Sequence, residues 1–375
     1  MVPFRLSLIV PLLVLPALIG CAPDAQDAPP PLAPAALGAV IEKPGINREK
    51  LARAVDALFT DADAAETRAV VVMRGGRIIA ERYAEGYGRD TRLISWSMAK
   101  SVTSAMIGLL VADGRLRLDE SAPVPAWQRP GDPRGEITLR QLLQMRSGLR
   151  HSETTEPVFE ADTVRMLFLD GRDDMAAYAE AQPLEAEAGR KFEYSSATTV
   201  ILSDLAARAL TDSADPAIRR KAVADYLRTR LFEPVGMKSA VPEFDAKGTL
   251  IGGSLIHATA RDWARFGEFL RNGGSVNGAQ VVPRAWIEFM TTSSPRSPDY
   301  GAQLWLNRAG NDGAGKWLPN APSSLFAARG HLGQFVIVSP AQKLTVVRLG
   351  KTQNDDRGPL TDRIDALVRL FPKAD

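Results

Sequence analysis

The chain has 375 residues, 45% apolar and 24% charged, enough for a large buried core and for two structural lobes. Its 46 Lys and Arg are interspersed with 44 Asp and Glu, and a formal charge of +2 gives no electrostatic footprint for a nucleic-acid partner. One cysteine excludes an internal disulfide framework and a cysteine-based zinc site, and three histidines (His151, His257, His331) leave little for a metal cluster, so no metal or other cofactor is expected.

Arg5 is followed by an apolar run from Leu6 to Ile19 that Pro11 and Pro16 interrupt. A bilayer core of about 30 Å needs a longer unbroken helix, so residues 1–20 read as an export signal rather than a membrane span. The ending Leu18-Ile19-Gly20-Cys21 resembles a bacterial lipoprotein cleavage site, and the only cysteine of the chain stands where acylation would occur. Two or more acyl chains anchor stably where one is marginal. The resemblance implies a protein of the bacterial cell envelope, attached to the membrane through Cys21. Ala22 rather than Asp after it favours the outer membrane, facing the periplasm. Residues 21–45, rich in Pro, Ala and Asp, read as an extended tether.

Apolar positions at helical spacing predict a helix from Arg48 to Asp61. Val- and Ile-rich strands at 69–73 and 77–80, joined by Arg74-Gly75-Gly76, form a hairpin. Met98 to Ala112 is apolar on nearly every side and predicts a buried helix, ended by Gly114. A short helix follows Thr138 as its cap and closes at Ser147-Gly148-Leu149. Residues 155–237 are mainly helical, including 218–231; further helices start after Thr259 and span 283–290. Strands at 303–307, 325–329, 334–339 and 344–349 precede a last helix over 360–370. The order implies an α+β body from residue 46 to 375: an antiparallel sheet flanked by helices, with a mainly helical region of about 119–244 inserted.

Three short stretches carry the chemistry. Ser97 and Lys100, the single Ser-x-x-Lys of the chain, share a face of the buried helix, so the amine can reach the hydroxyl. Burial lowers a lysine pKa and turns the cation into a proton acceptor. Tyr194, in Tyr194-Ser195-Ser196 before an apolar helix, would have its phenol made more acidic by a nearby lysine and could shuttle protons. Gly330-His331-Leu332-Gly333-Gln334 opens a strand. There Gly333 would let substrate approach the backbone, and the Gln334 N–H could join that of Ser97 in an oxyanion hole, each donor giving about 100- to 1000-fold in rate.

Ser97-Met98-Ala99-Lys100, Tyr194-Ser195-Ser196 and His331-Leu332-Gly333, in that order, resemble the three motifs of serine β-lactamases and penicillin-binding proteins. Ile137 to Leu143 with Ser147-Gly148-Leu149, Leu231 to Met237 and Ala260 to Gly267 resemble the class C-like branch, with its family VIII carboxylesterases and 6-aminohexanoate-dimer hydrolases; Ser95 to Ser101 is most similar to the latter. The resemblance covers residues 48–372. It implies Ser97 as the acyl-forming nucleophile, Lys100 and Tyr194 as one coupled proton-handling unit, Ser196, His331 and Gly333 at the substrate, and Trp305 as an aromatic wall.

Two departures bear on the substrate. His331 and Leu332 stand where β-lactamases carry the Lys-Thr that meets a substrate carboxylate, and Ser196 stands where an Asn holds a substrate amide. Both point to a small carboxylic ester or amide, esters first; the alternatives are a linear-amide hydrolase, a weak β-lactamase, or a non-catalytic envelope lipoprotein that binds muropeptides. Trp96 is expected to pack behind the nucleophile, His151 to be a solvated loop residue, His257 to be structural, and Arg261 and Asp262 to form a local ion pair or cap.

Overall fold

Gly75 and Gly76 take φ of +56° and +81°, backbone that a side chain disfavours, and turn β1 (Glu66–Arg74) into β2 (Arg77–Tyr83). Four later strands complete the sheet: β3 (Trp305–Leu306), β4 (Phe326–Gly330), β5 (Gln334–Ser339) and β6 (Leu344–Lys351). The order is β2-β1-β6-β5-β4-β3, antiparallel at every pairing. The computed structural model describes Met1 and residues 31–60, 66–313, 315–353 and 357–373. The export signal, Cys21 and the start of the tether lie outside the described residues.

The helices that matter for the site are α1 (Arg48–Thr60), α2 (Ala99–Ala112), α3 (Asp162–Phe168), α4 (Ser196–Leu210), α5 (Ala260–Arg271), α6 (Arg284–Met290) and α7 (Arg357–Arg369). Successive strand side chains point to opposite faces. Val70, Val72, Phe335, Ile337 and Val346 therefore go to the core under α1 and α7. Val71, Val336, Val338 and Val347 go to the core shared with α5 and the helical region. The expected strands and helices are present with shifted ends; the one predicted from Met98 starts as a 3-10 turn, Trp96–Met98, before α2. In the 155–237 stretch the helices before residue 190 are short and separated by loops, and this part gives the crevice described below its wall, while Ser196–Leu210 and Pro216–Leu227 are long.

One expectation is corrected. The end of the tether is folded: Pro34–Gly38 is a helical turn, and the chain then pairs with the exposed edge of β2, Ile41 N–H donating to Ile79 O (3.1 Å) and Glu81 N–H to Ala39 O (2.9 Å). Buried Ala36 and Val40 show that even this Pro/Ala-rich composition covers a sheet edge when its backbone donors find partners.

α2 is buried from Ala99 to Leu110, wedged between α4 and α6. Gly108 permits this: a Cβ there would lie 2.5 Å from the Trp286 ring, which is held by its Nε1–H donating to Ser104 O at 2.9 Å. Gly108→Ala is expected to lose stability by about 1–2 kcal/mol, the clash exceeding the gain of about 1 kcal/mol in helix propensity. A urea midpoint equal to or above wild type would show that the indole yields freely.

Candidate active site

The turn before α2 is held in an unfavourable conformation. Trp96 takes φ +46°, the left-handed region a bulky residue enters at a cost of order 1–3 kcal/mol. Buried Ser95 holds one side: its hydroxyl lies 2.9 Å from Trp96 O and accepts the Ile256 N–H at 3.1 Å. The end of β4 holds the other, since a Cβ at Gly330 would sit 2.4 Å from Ser95 O. Ser97 is thereby presented, half-buried, at the head of the buried helix.

Three positions later the same helix carries Lys100, 1% exposed. Its Nζ lies 3.0 Å from Ser97 Oγ, 2.8 Å from Ser196 Oγ and 2.9 Å from Gly253 O. Burial pushes its pKa down to about 8 while the Glu153 charge pulls the other way. Tyr194 packs its ring 4.8 Å from Nζ and stacks at 5.3 Å against Trp305, with buried Tyr300 behind.

Glu153 was not foreseen from the sequence, and it organises the far side of Lys100. Its Oε1 accepts the Ser196 hydroxyl at 2.6 Å; its Oε2 accepts the Ser196 N–H (2.8 Å), the Thr163 hydroxyl (2.9 Å) and His151 Nε2–H (2.8 Å). Burial opposes the carboxylate, but the His151 hydrogen bond, the Lys100 charge and Ser196 outweigh it and hold the pKa at about 2. His151, expected in solvent, is 7% exposed, because both Glu153 and Thr163 take its Nε2.

Ser97, Tyr194, Ser196, Glu153, Trp305 and His331 line one cavity of about 320 Å³. Its far wall is apolar, from Val158, Val164, Leu167 and Phe168 around α3. Trp96, expected behind the nucleophile, lines the cavity with its ring 5.3 Å from that of His331. A larger groove of about 1070 Å³ beside β2 holds no such serine–lysine pair; there Arg261 is paired with Glu81 of β2, not locally as expected. His257 is structural as expected, its Nε2 hydrogen-bonded to Glu243 at 2.5 Å.

The turn between β4 and β5 differs from expectation. Gly333 (φ +75°) and Gln334 are not on the cavity wall. Gly333 is needed for close packing within the protein, since a Cβ would lie 2.7 Å from the guanidinium of buried Arg348, which donates to Gly333 O at 2.9 Å. Gln334 is 2% exposed and staples the turn, its Nε2 reaching His331 O and Leu332 O at 3.1 Å and Gly350 O at 2.6 Å. Leu332, at φ +59°, swings the turn so that Gly330 and His331 reach the wall. Arg329, also unforeseen, stacks its guanidinium over Trp305 (5.0 Å) and Trp317 (4.6 Å) at the cavity rim.

Residues 55–369 match the Beta-lactamase family. A 6-aminohexanoate-dimer hydrolase of Paenarthrobacter ureafaciens is 27% identical over 240 residues, which make up 61% of this chain and 58% of that enzyme; a little over half the relative's length is matched. A Bacillus anthracis protein assigned as a 6-aminohexanoate-dimer hydrolase superposes with a TM-score of 0.66 at 22% identity, covering 85% of this chain and 83% of the other. A family VIII carboxylesterase superposes with a TM-score of 0.63 at 16% identity, covering 86% and 97%. At those identities the two structures speak to the fold.

Lys100 accepts a proton only when neutral, so the reactivity of Ser97 should climb as pH rises through about 8. The rate of Ser97 phosphonylation by a fluorophosphonate, measured from pH 6 to 10, checks this; a flat profile would remove Lys100 as acceptor.

Proposed function

Since the chain belongs to the beta-lactamase family, we propose that it is a serine hydrolase that cleaves small, neutral carboxylic esters through an acyl-enzyme on Ser97. The observation that carries the reading is the buried Lys100 amine 3.0 Å from Ser97 Oγ. In this scheme Lys100 and Tyr194, acting as one titrating unit, take the Ser97 proton as Oγ attacks the carbonyl carbon. They return it to the leaving alcohol, then activate the water that frees the acid. The oxyanion is received by the N–H of Ser97 and, in place of Gln334, by that of His331, since the turn reaches the wall at Gly330 and His331. Ser196 is engaged with Lys100 and Glu153, so substrate contact falls to the aromatic and aliphatic wall, with Trp305 and His331 at the reacting end.

Esters come first for two reasons. An alkoxide leaves more readily than an amine, and the wall formed by Val158, Val164, Leu167 and Phe168 suits an apolar acyl group. Arg329 at the rim and the match to a 6-aminohexanoate-dimer hydrolase favour a second reading, a linear amide whose carboxylate end meets that guanidinium. A panel of chromogenic esters, linear amides and a cephalosporin separates the readings; the best turnover is expected on an ester with an apolar acyl group, and equal cephalosporin turnover would overturn the preference. Lys100→Ala and Tyr194→Phe should each slow acylation at least about 100-fold, and a rate near wild type for either would remove that residue from the scheme.

The lone cysteine after an export-like segment supports attachment to the bacterial outer membrane through acylated Cys21. Among the described residues no helix is long and apolar enough to cross a membrane. Cys21→Ser should move the protein from the membrane to the soluble fraction of fractionated cells, and unchanged membrane recovery would sink the anchor.

A further inference from the structure

The three oxygens within hydrogen-bond distance of Lys100 Nζ constrain how a neutral amine is held. Ser196 has a single hydroxyl hydrogen, and its Oγ lies 2.6 Å from Glu153 Oε1, which as a carboxylate can only accept. That hydrogen goes to Glu153, so Ser196 Oγ must accept from Lys100 Nζ at 2.8 Å. Gly253 O, at 2.9 Å, also only accepts. A neutral amine has two hydrogens and one lone pair. With both hydrogens committed, the lone pair is left facing the Ser97 hydroxyl at 3.0 Å.

We propose that Glu153, acting through Ser196, is a positioning residue that aims the Lys100 lone pair at the Ser97 hydroxyl, with His151 and Thr163 holding the carboxylate. The role rests on the hydrolase reading above. Without an acceptor at Glu153 the Ser196 hydroxyl could turn its own hydrogen toward Lys100 and occupy the lone pair. A carboxamide at 153 cannot restore the relay: Ser196 presents an N–H and an O–H to the two oxygens of Glu153, and an amide offers one oxygen and one NH₂. His151 stands behind the carboxylate with Nε2–H directed at it. Its Nδ1 is buried with no hydrogen-bond partner among the described residues, so Nε2 is the nitrogen this packing uses.

The groups facing Lys100 are few. Ser97 comes from its own helix turn, Tyr194 and Ser196 from the start of α4, and Gly253 from the segment before α5. Glu153 comes from the loop before α3 and carries the nearest opposite charge. Behind it are His151 and then Asp162, which accepts from Ser152 at 2.8 Å. Arg329 lies on the cavity wall from β4.

The test is the pH dependence of Ser97 phosphonylation by a fluorophosphonate. In that step the Oγ–P bond forms, the P–F bond breaks, fluoride leaves and the hydroxyl proton passes to Lys100. Glu153→Gln should lower the plateau rate at least tenfold and move the rising limb to lower pH, because the anion that favours the charged lysine is gone. Ser196→Ala should show a plateau loss of similar size, and the double variant should be no slower than the slower single one, since both act along one path. A Glu153→Gln limb at the wild-type pH, or losses that multiply in the double variant, would overturn the relay. Ser196→Ala leaves Glu153 in place and decides the matter if Glu153→Gln does not fold; a plateau within twofold of wild type would then overturn it. Wild-type protein that forms no Ser97 adduct sinks the hydrolase reading itself, whereas an adduct with an unmoved limb sinks only the relay.

Discussion

Burying the Lys100 amine beside Ser97 is the constraint from which most of the molecule follows. An ammonium taken from water costs several kcal/mol unless its donors are met and its charge is answered. Here the donors are met by Ser97, Ser196 and Gly253, from three separate parts of the chain. Each must be delivered to within hydrogen-bond distance, so the fold cannot loosen around the site without stranding a buried charge. This explains why α2 is packed on every side, with Gly108 bare against Trp286. It also explains why Trp96 is tolerated at a left-handed φ: the Ser95 hydrogen bonds on one side and the close-packed Gly330 backbone on the other over-determine it.

The electrostatics divide the cavity. At the reacting end a lysine with lowered pKa faces a carboxylate held ionised, so as pH rises through about 8 Lys100 alone loses its charge and the pair passes from neutral to net negative. The wall around α3 is aliphatic and aromatic, and the one cation among the described lining residues, Arg329, stacks on Trp305 and Trp317. In the hydrolase proposed above, an anionic substrate group would find its cation at Arg329 and an unfavourable carboxylate at Glu153. A neutral, apolar substituent meets no such restriction.

The hairpin at Gly75-Gly76, the strands at 334–339 and 344–349 and the buried helix after Ser97 were legible because hydrophobic periodicity and glycine placement are local signals. Ser97, Lys100 and Tyr194 were legible because two lie on one helix turn and the third sits in a short motif. Glu153 and His151 were not. They occupy an irregular loop with no period, and their partners Ser196 and Lys100 come close only through packing. Their one visible trace was a histidine and a glutamate two apart beside the Ser-Gly-Leu turn, a pattern that solvent-facing loops share. The turn at 331–333 was misjudged for a geometric reason: Leu332 adopts a left-handed φ, which sends His331 to the wall and turns Gln334 inward.

Ser196 ties these points together. An amide side chain at this position could satisfy the lysine and a substrate at once, because it carries both a donor and an acceptor. A hydroxyl carries one hydrogen, and here that hydrogen goes to Glu153. The shorter residue therefore requires the carboxylate behind it, and the carboxylate requires His151, Thr163 and the Ser196 N–H to remain ionised in a low-dielectric wall. The exchange removes a polar arm that could hold a substrate amide and places a carboxylate on the cavity wall behind Ser196. In the hydrolase proposed above, both consequences would act in the same direction, away from anionic amides and toward neutral acyl donors, and they arise from one hydrogen atom having a single place to go.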